Sequence, residues 1–348
     1  MKSNNNSVCA SKRNNYIDIA KVVCALMVLF LHTINMNVPY DNALINTIAV
    51  SLHKITWAVN PVEFFFIISS FFLFSKPLKK EVLFKYLKRL AILYFFWSVL
   101  YIGNIVELFQ NVNDASDMMY AIVKMLRRVF LIGTAGHMWY VLSLVYGLLL
   151  LYPLLLKNKV KAAVVISVLL YVINIIGDPY YHFLDSISVL QKGLNLINSV
   201  FGSMYLLRGP LFIIGGFFLA KHKNFSSNIK TVFLWIFVAV ITNVELFLLK
   251  LFDTGLQYSV TLFKPFAAII FTIMILSIPA KSEKNTNALA KYSTVLYFSH
   301  IFVRDLLMNL FQNMFIIWLL TALLCIILLF FLFFIEKKLK WDWLKYIY

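Results

Sequence analysis

One apolar run near the start constrains this chain most: Asp18-Ile-Ala-Lys-Val-Val-Cys-Ala-Leu-Met-Val-Leu-Phe-Leu-His32 carries an acid, a base and an imidazole. On a helix, residues eleven apart differ by about three turns plus ~20°, so Lys21 and His32 share a stripe and stand roughly 16 Å apart along the axis. Asp18 lies one turn before Lys21 and can pair with it. Ionisable groups within a membrane helix are costly, and they usually face a protein interior or a water-filled cavity. One face of this helix is therefore not for lipid.

Composition supports the membrane premise, because 61% of residues are hydrophobic, 14% are charged and the mean hydropathy is +0.82; soluble domains carry about 25% charged residues. The fold class is all-α, a polytopic membrane protein with about ten transmembrane helices and both termini cytoplasmic. It reads as a single transmembrane domain over 1–348, with cytoplasmic tails at 1–15 and 336–348. Mostly polar residues precede the first span and no small-residue cleavage site follows it, so that span is expected to stay as an anchor. Cys9, Cys24 and Cys325 form no CxxC pair, which supports neither a disulfide framework nor a metal site.

Apolar windows of about 20 residues fall at Tyr16–Met36, Ile55–Phe74, Ala91–Leu108, Met138–Leu156, Ala162–Ile176, Met204–Ala220, Thr231–Leu249, Tyr258–Ile278, Ser293–Leu310 and Met314–Ile335. Cytoplasmic loops collect Lys and Arg. With both ends inside, the inner segments hold Lys2, Lys12 and Arg13; Lys76, Lys79, Lys80, Lys85, Lys88 and Arg89; Lys157, Lys159 and Lys161; Lys221, Lys223 and Lys230; Lys281, Lys284 and Lys291; and Lys337, Lys338, Lys340 and Lys345. The outer segments hold Asp41, Asp114, Asp117, Asp178, Asp185 and Asp253. The net charge of +17 is thus a topology signal and a match to anionic membrane lipid, not a nucleic-acid footprint.

This topology puts His32 at the outer end of span 1, His137 at the outer start of span 4, Arg208 at the outer start of span 6, and His300 and Arg304 in the outer half of span 9. Lys21 lies below them, near the cytoplasmic end. Each has a plainer alternative. His32 can be wetted at the interface, Lys21 can snorkel to headgroups, His137 can belong to an aromatic belt with Trp139 and Tyr140, Arg208 can bind lipid phosphate, and His300 can be a hydrogen-bonded packing residue. Between spans 3 and 4, Met118, Ile122, Met125 and Val129 form an apolar stripe beside Lys124, Arg127 and Arg128, the pattern of an amphipathic helix on the outer surface. The outer loop Gly177–Ser203 is long enough to roof a site.

Five fragments, in order, resemble the acyltransferase-3 family of integral-membrane O-acyltransferases. Tyr16-Ile-Asp-Ile-Ala-Lys21 followed by Leu31-His32 is similar to its opening Asp-x-x-Arg…His span. Pro61-Val-Glu-Phe-Phe-Phe-Ile-Ile-Ser-Ser-Phe-Phe-Leu-Phe74 resembles its second span, and His137-Met-Trp-Tyr-Val-Leu-Ser-Leu its His-Leu-Trp-Phe/Tyr-Leu span. Arg208-Gly-Pro-Leu-Phe-Ile-Ile-Gly-Gly-Phe-Phe-Leu and Tyr292-Ser-Thr-Val-Leu-Tyr-Phe-Ser-His300 are similar to two later segments. Lys21 stands where most members have Arg, which keeps the charge and loses the bidentate fork. Ser70 replaces a usual Gly, and Gly-Pro follows Arg208 in place of Asn.

The resemblance implies transfer of an acyl group, usually acetyl, from cytoplasmic acetyl-CoA or another acyl-CoA to a hydroxyl of an extracytoplasmic glycan or envelope molecule, in a bacterial plasma membrane. A hydroxyl needs a base to become nucleophilic, a role that falls to His32, either directly or by carrying the acyl group, with His137 or Arg208 meeting the developing oxyanion. Lys21 and Asp18 are expected to hold the donor, and His300 and Arg304 the acceptor. The alternative is a transporter or exporter of a polysaccharide, lipid-linked sugar or amino acid, although no internal repeat of the kind common in transporters is visible.

Overall fold

The computed structural model describes residues 14–34, 43–110, 112–201, 204–222, 225, 228–279 and 286–348. Lys2, Lys12, Arg13, Asp41, Lys223, Lys281 and Lys284, with the last two residues of the first expected span, lie outside them. Among the described residues every regular element is helical.

Fourteen α-helices follow in order: α1 (Asn15–Thr33), α2 (Ala43–Val59), α3 (Pro61–Phe74), α4 (Lys80–Ser98), α5 (Gly103–Val106), α6 (Ala115–Arg127), α7 (Trp139–Leu156), α8 (Val160–Ile176), α9 (Ser188–Phe201), α10 (Tyr205–Lys221), α11 (Ile229–Leu251), α12 (Lys264–Ser277), α13 (Asn287–Met308) and α14 (Met314–Leu339). Their starts follow local chemistry. The side chains of Asn14, Asp114, Asn228 and Asn313 accept from backbone N–H groups in the first turns of α1, α6, α11 and α14, filling positions that a helix leaves unbonded. Pro61 opens α3, where its missing N–H does no harm; Asn60 before it is left-handed at φ 56° and breaks the chain between α2 and α3.

Five helical stretches among the described residues are long and apolar enough to cross a membrane: Asn15–Thr33, Leu44–Phe74, Trp139–Leu156, Ile229–Leu251 and Met314–Leu339. Two bent pairs raise the number to seven, one of them the 69° bend between Lys80–Tyr101 and Gly103–Phe109; Val160–Ile176 and Lys264–Ser277 are shorter apolar helices. Three expected windows come out differently. Ala91–Leu108 is bent by 69° where Lys80–Tyr101 meets Gly103–Phe109. Ile55–Phe74 is cut at Asn60, so Pro61 starts a new helix instead of continuing one. Tyr258–Ile278 shortens to α12 because carboxylates from elsewhere claim the backbone ahead of it. Asp178 accepts from the N–H groups of Gln257 (2.8 Å), Tyr258 (3.0 Å) and Ser259 (3.0 Å) and from the Ser259 hydroxyl. Glu245 accepts from the N–H groups of Leu262 and Phe263 and from the Tyr180 hydroxyl. The amphipathic segment is helical, α6 followed by a π turn at Arg128–Ile132; of its expected apolar stripe Met118 is exposed and Ile122, Met125 and Val129 are half-buried.

α10 packs against α3, α7 and α8, while α1 packs against α13 and α13 against α14; α1 also meets α3. Glycines allow the closest of these approaches. A Cβ on Gly216 would come within 2.5 Å of the Ile67 carbonyl oxygen, and one on Gly209 within 2.4 Å of Ser143 Oγ, the small-residue packing usual between helices in lipid.

Candidate active site

Three helical positions bring three imidazoles together. His32 is in the last turn of α1, His137 in the turn that leads into α7, and His300 midway along α13. Ring centroids are 4.8 Å apart for His137 and His300, 5.3 Å for His32 and His300, and 6.5 Å for His32 and His137. His137 is 2% exposed and His300 0%, whereas His32 is exposed.

The hydrogen bonds assign the tautomers of the two buried rings, since a carbonyl oxygen can only accept. His300 Nδ1 lies 2.7 Å from the Tyr297 carbonyl and 3.1 Å from that of Leu296, so Nδ1 carries the proton. His137 Nε2 lies 3.2 Å from the Phe298 carbonyl and donates to it. The remaining nitrogens, His137 Nδ1 and His300 Nε2, are buried lone pairs without a hydrogen-bond partner among the described residues. Tyr297 donates to the His137 carbonyl (2.9 Å) and Tyr101 to the Phe298 carbonyl (2.7 Å). These hydroxyls fix the backbone that in turn fixes the rings, the supporting role that outer hydrogen bonds play in preorganised sites.

Below the histidines lies a cavity of about 800 Å³. Its α13 wall is the stripe Asn287, Ala290, Lys291, Thr294, Tyr297 and Phe298, which rises roughly 16 Å at 1.5 Å per residue. Lys21, Lys76, Lys85, Arg89, Lys291 and Lys345 line one end; Phe65, Ser69, Tyr140, Tyr297 and Phe298 line the other. None of the three histidines lines it, but Tyr297 touches two of them, its ring 5.7 Å from His137 and 6.2 Å from His300. Positive charge thus collects at the end remote from the imidazoles, and aromatic rings line the end nearer to them.

The sequence-derived candidates divide into four groups. His32, His137 and His300 converge. Lys21 lines the cavity 3.9 Å from Asp18, with its ammonium 5.0 Å from the centroid of the Phe72 ring, while Asp18 accepts from Thr286 Oγ1 at 2.6 Å. Arg304 donates to the His32 carbonyl and to Asp305, so it grips the end of α1. Arg208 belongs to a separate buried ionic cluster. It is 4% exposed, 3.8 Å from Glu63, bonded to Ser259 Oγ at 2.6 Å, and lies over the rings of Trp139 and Tyr205. Lys264 completes that cluster 3.0 Å from Glu63.

Sequence reasoning passed over Glu63, Lys264, Tyr101, Tyr297 and the basic rim. For Glu63 and Lys264 the signal was present, an ionisable residue inside an apolar window. For Lys76, Lys85 and Arg89 it was present only as loop charge. Tyr297 was present only as one position of the fragment Tyr292–His300 that carries the family resemblance, and for Tyr101 there was no signal, because one tyrosine among 18 carries no mark of its hydrogen bond. Among the described residues, no group of three or more His, Cys, Asp or Glu side chains is placed to hold a metal ion.

A family model described as an acyltransferase domain matches residues 14–347. Among curated proteins, an amino-acid racemase of Enterococcus faecalis is 26% identical over 292 residues, covering 79% of this chain and 39% of that protein. A second amino-acid racemase of Enterococcus faecalis is 26% identical over 223 residues, covering 62% of this chain and 29% of that protein. The chain spans well under half the length of these relatives. No solved structure matches it.

Proposed function

Because the chain belongs to the acyltransferase-3 family, we propose that it takes an acyl group, acetyl first among them, from cytoplasmic acyl-CoA and places it on a hydroxyl of an extracytoplasmic glycan or envelope molecule. One observation carries this reading: a cavity with a cationic end reaches Tyr297, the ring that touches two of three clustered histidines, and those two hold buried lone pairs without a hydrogen-bond partner among the described residues. Six Lys and Arg side chains at the mouth suit the phosphates of a nucleotide-bearing donor. The aromatic end suits the apolar arm and thioester that follow them. Lys-rich loops orient that mouth towards the cytoplasm, and the ten-span topology in a plasma membrane is part of the proposal.

The chemistry needs one base and one proton path. His32, the exposed ring, meets an acceptor arriving from the opposite face and takes its hydroxyl proton. The oxygen attacks the thioester carbonyl carbon, the C–S bond breaks, and the proton passes to the departing sulfur, leaving an ester and a free thiol with no net proton change. His137 Nδ1 and His300 Nε2 offer the lone pairs through which that proton moves. Arg304 and the two tyrosines act on geometry. Arg208, held by Glu63 and Ser259, braces α3 against α10 rather than reaching the oxyanion.

A second reading, movement of an amino acid across the membrane, draws on the racemase relatives and on the helix broken at Asn60, since transporters build sites at interrupted helices. One experiment separates the two. Oriented membrane vesicles carrying wild type or His32→Ala receive labelled acetyl-CoA on the Lys-rich face, and alkali-labile label is sought in envelope glycans. Label with wild type and a loss of about 10²-fold or more with the variant, the scale of a general base, supports the reading. Label from both moves the base to His137 or His300. No label from either, together with exchange of a labelled amino acid across the vesicle membrane, selects transport.

A further inference from the structure

The donor cavity and the histidines are not continuous. Phe65 of α3, Tyr140 of α7 and Tyr297 of α13 stand in a closed triangle, with ring centroids 5.5 Å apart for Tyr140 and Tyr297, 5.7 Å for Phe65 and Tyr297, and 6.4 Å for Phe65 and Tyr140. All three line the cavity, and Tyr297 is the ring that touches His137 and His300 on its other side. Aromatic rings at centroid distances of about 4.5–7 Å are in contact, so the triangle leaves no open passage between them. A thioester in the cavity reaches an imidazole only if one ring moves.

The three rings are not equally free. Tyr140 is tied through its hydroxyl to Ser69 Oγ (3.1 Å) and the Phe65 carbonyl (3.2 Å). Tyr297 is tied to the His137 carbonyl at 2.9 Å. Phe65 has no polar anchor on its ring, and it is only half-buried. The triangle therefore has two fixed posts and one ring held by packing alone.

We propose that Phe65 is the gate between the donor cavity and the histidines, and that the opening its movement leaves between Tyr140 and Tyr297 limits the acyl chain to a short one. This rests on the acyl-CoA reading above and adds a residue that selects the donor. A two-carbon acyl group ends at the thioester carbon's methyl and passes once Phe65 rotates. Longer chains must thread the same gap with every added methylene, and closed apolar sites discriminate by about 10–200-fold for one methylene.

The test uses the full chain in native membrane vesicles that carry the acceptor. Consumption of acetyl-, butyryl- and hexanoyl-CoA is measured for wild type, Phe65→Ala and Tyr140→Phe, alongside binding of CoA itself to each. The expected result is that wild type favours acetyl over butyryl by on the order of tenfold or more, that Phe65→Ala loses most of that preference while still binding CoA, and that Tyr140→Phe, which keeps the ring, retains it. Phe65→Leu, a smaller change in packing, replaces the alanine variant if that protein fails to bind CoA, and is expected to shift the preference in the same direction. An unchanged chain-length profile in a variant that binds CoA overturns the gate and leaves the donor reading standing. A wild-type protein that consumes no acyl-CoA of any length overturns the donor reading, and the gate falls with it.

Discussion

At Glu63 a carboxylate 1% exposed sits 3.0 Å from the Lys264 ammonium and 3.8 Å from the Arg208 guanidinium. Removing one member of a buried ion pair costs about 3–5 kcal/mol, because the partner's charge is left uncompensated. Glu63→Gln here would strand two cations, so thermal unfolding of the purified protein is expected to show a large fall in midpoint. Glu63→Asp keeps the charge and is expected to fall less. Equal midpoints for Glu63→Gln and wild type would show that the cluster is not holding α3, α10 and α12 together. The sequence already held this residue, in Pro61-Val-Glu63 inside the apolar window Ile55–Phe74. It was not legible as a structural centre because its cations, Arg208 and Lys264, are 145 and 201 positions away, and nothing local to Glu63 points to them.

Among the helices, α10 is the one that sequence and structure explain together. Its two central glycines invite close packing, and Gly216 lies where a methyl group would meet the Ile67 carbonyl at 2.5 Å and Ser70 Cβ at 2.7 Å. Backbone cannot yield as a flexible side chain can, so Gly216→Ala is expected to push α3 and α10 apart at a cost of about 1–3 kcal/mol, the range for overpacking. Gly103, with nothing within 4 Å of its added Cβ, is the control that should tolerate alanine far better in the same unfolding measurement. Element ends were legible where a cap was local: Asn313 before α14 and Asn228 before α11 sit close to the expected starts. They were illegible where distant side chains intervened. The apolar run from Tyr258 reads as helix, yet Asp178 and Glu245 claim its N–H groups and delay α12 to Lys264.

Over the whole molecule the charge is arranged in a direction, with Lys21, Lys76, Lys85, Arg89, Lys291 and Lys345 around one mouth and the imidazoles at the far end. Exposed charges at a mouth act over about a Debye length and weaken with salt. Reversing Lys85 and Arg89 together to Glu is expected to raise the donor KM on the order of tenfold at low ionic strength, with the gap to wild type closing as salt is added. A KM that stays unchanged at low salt would remove these residues from donor capture. That His32, His137 and His300 share one end of the bundle follows from their place along each span and was readable from the sequence. That the three helices carrying them adjoin was not, because helical periodicity describes each span alone and says nothing of its neighbours.

The aromatic triangle also has an electrical consequence. In the proposed topology, the cavity on one side and the exposed His32 on the other leave the rings as much of the insulating thickness between the two solutions, so a membrane voltage would fall steeply across a thin layer there. Moving one elementary charge through 100 mV takes about 2.3 kcal/mol. An acyl group, being neutral, would cross that layer without electrical work, whereas a carboxylate or an ammonium would not. In the proposed transfer, a septum of this kind would keep an energised membrane from discharging through the protein while the one uncharged fragment changed sides.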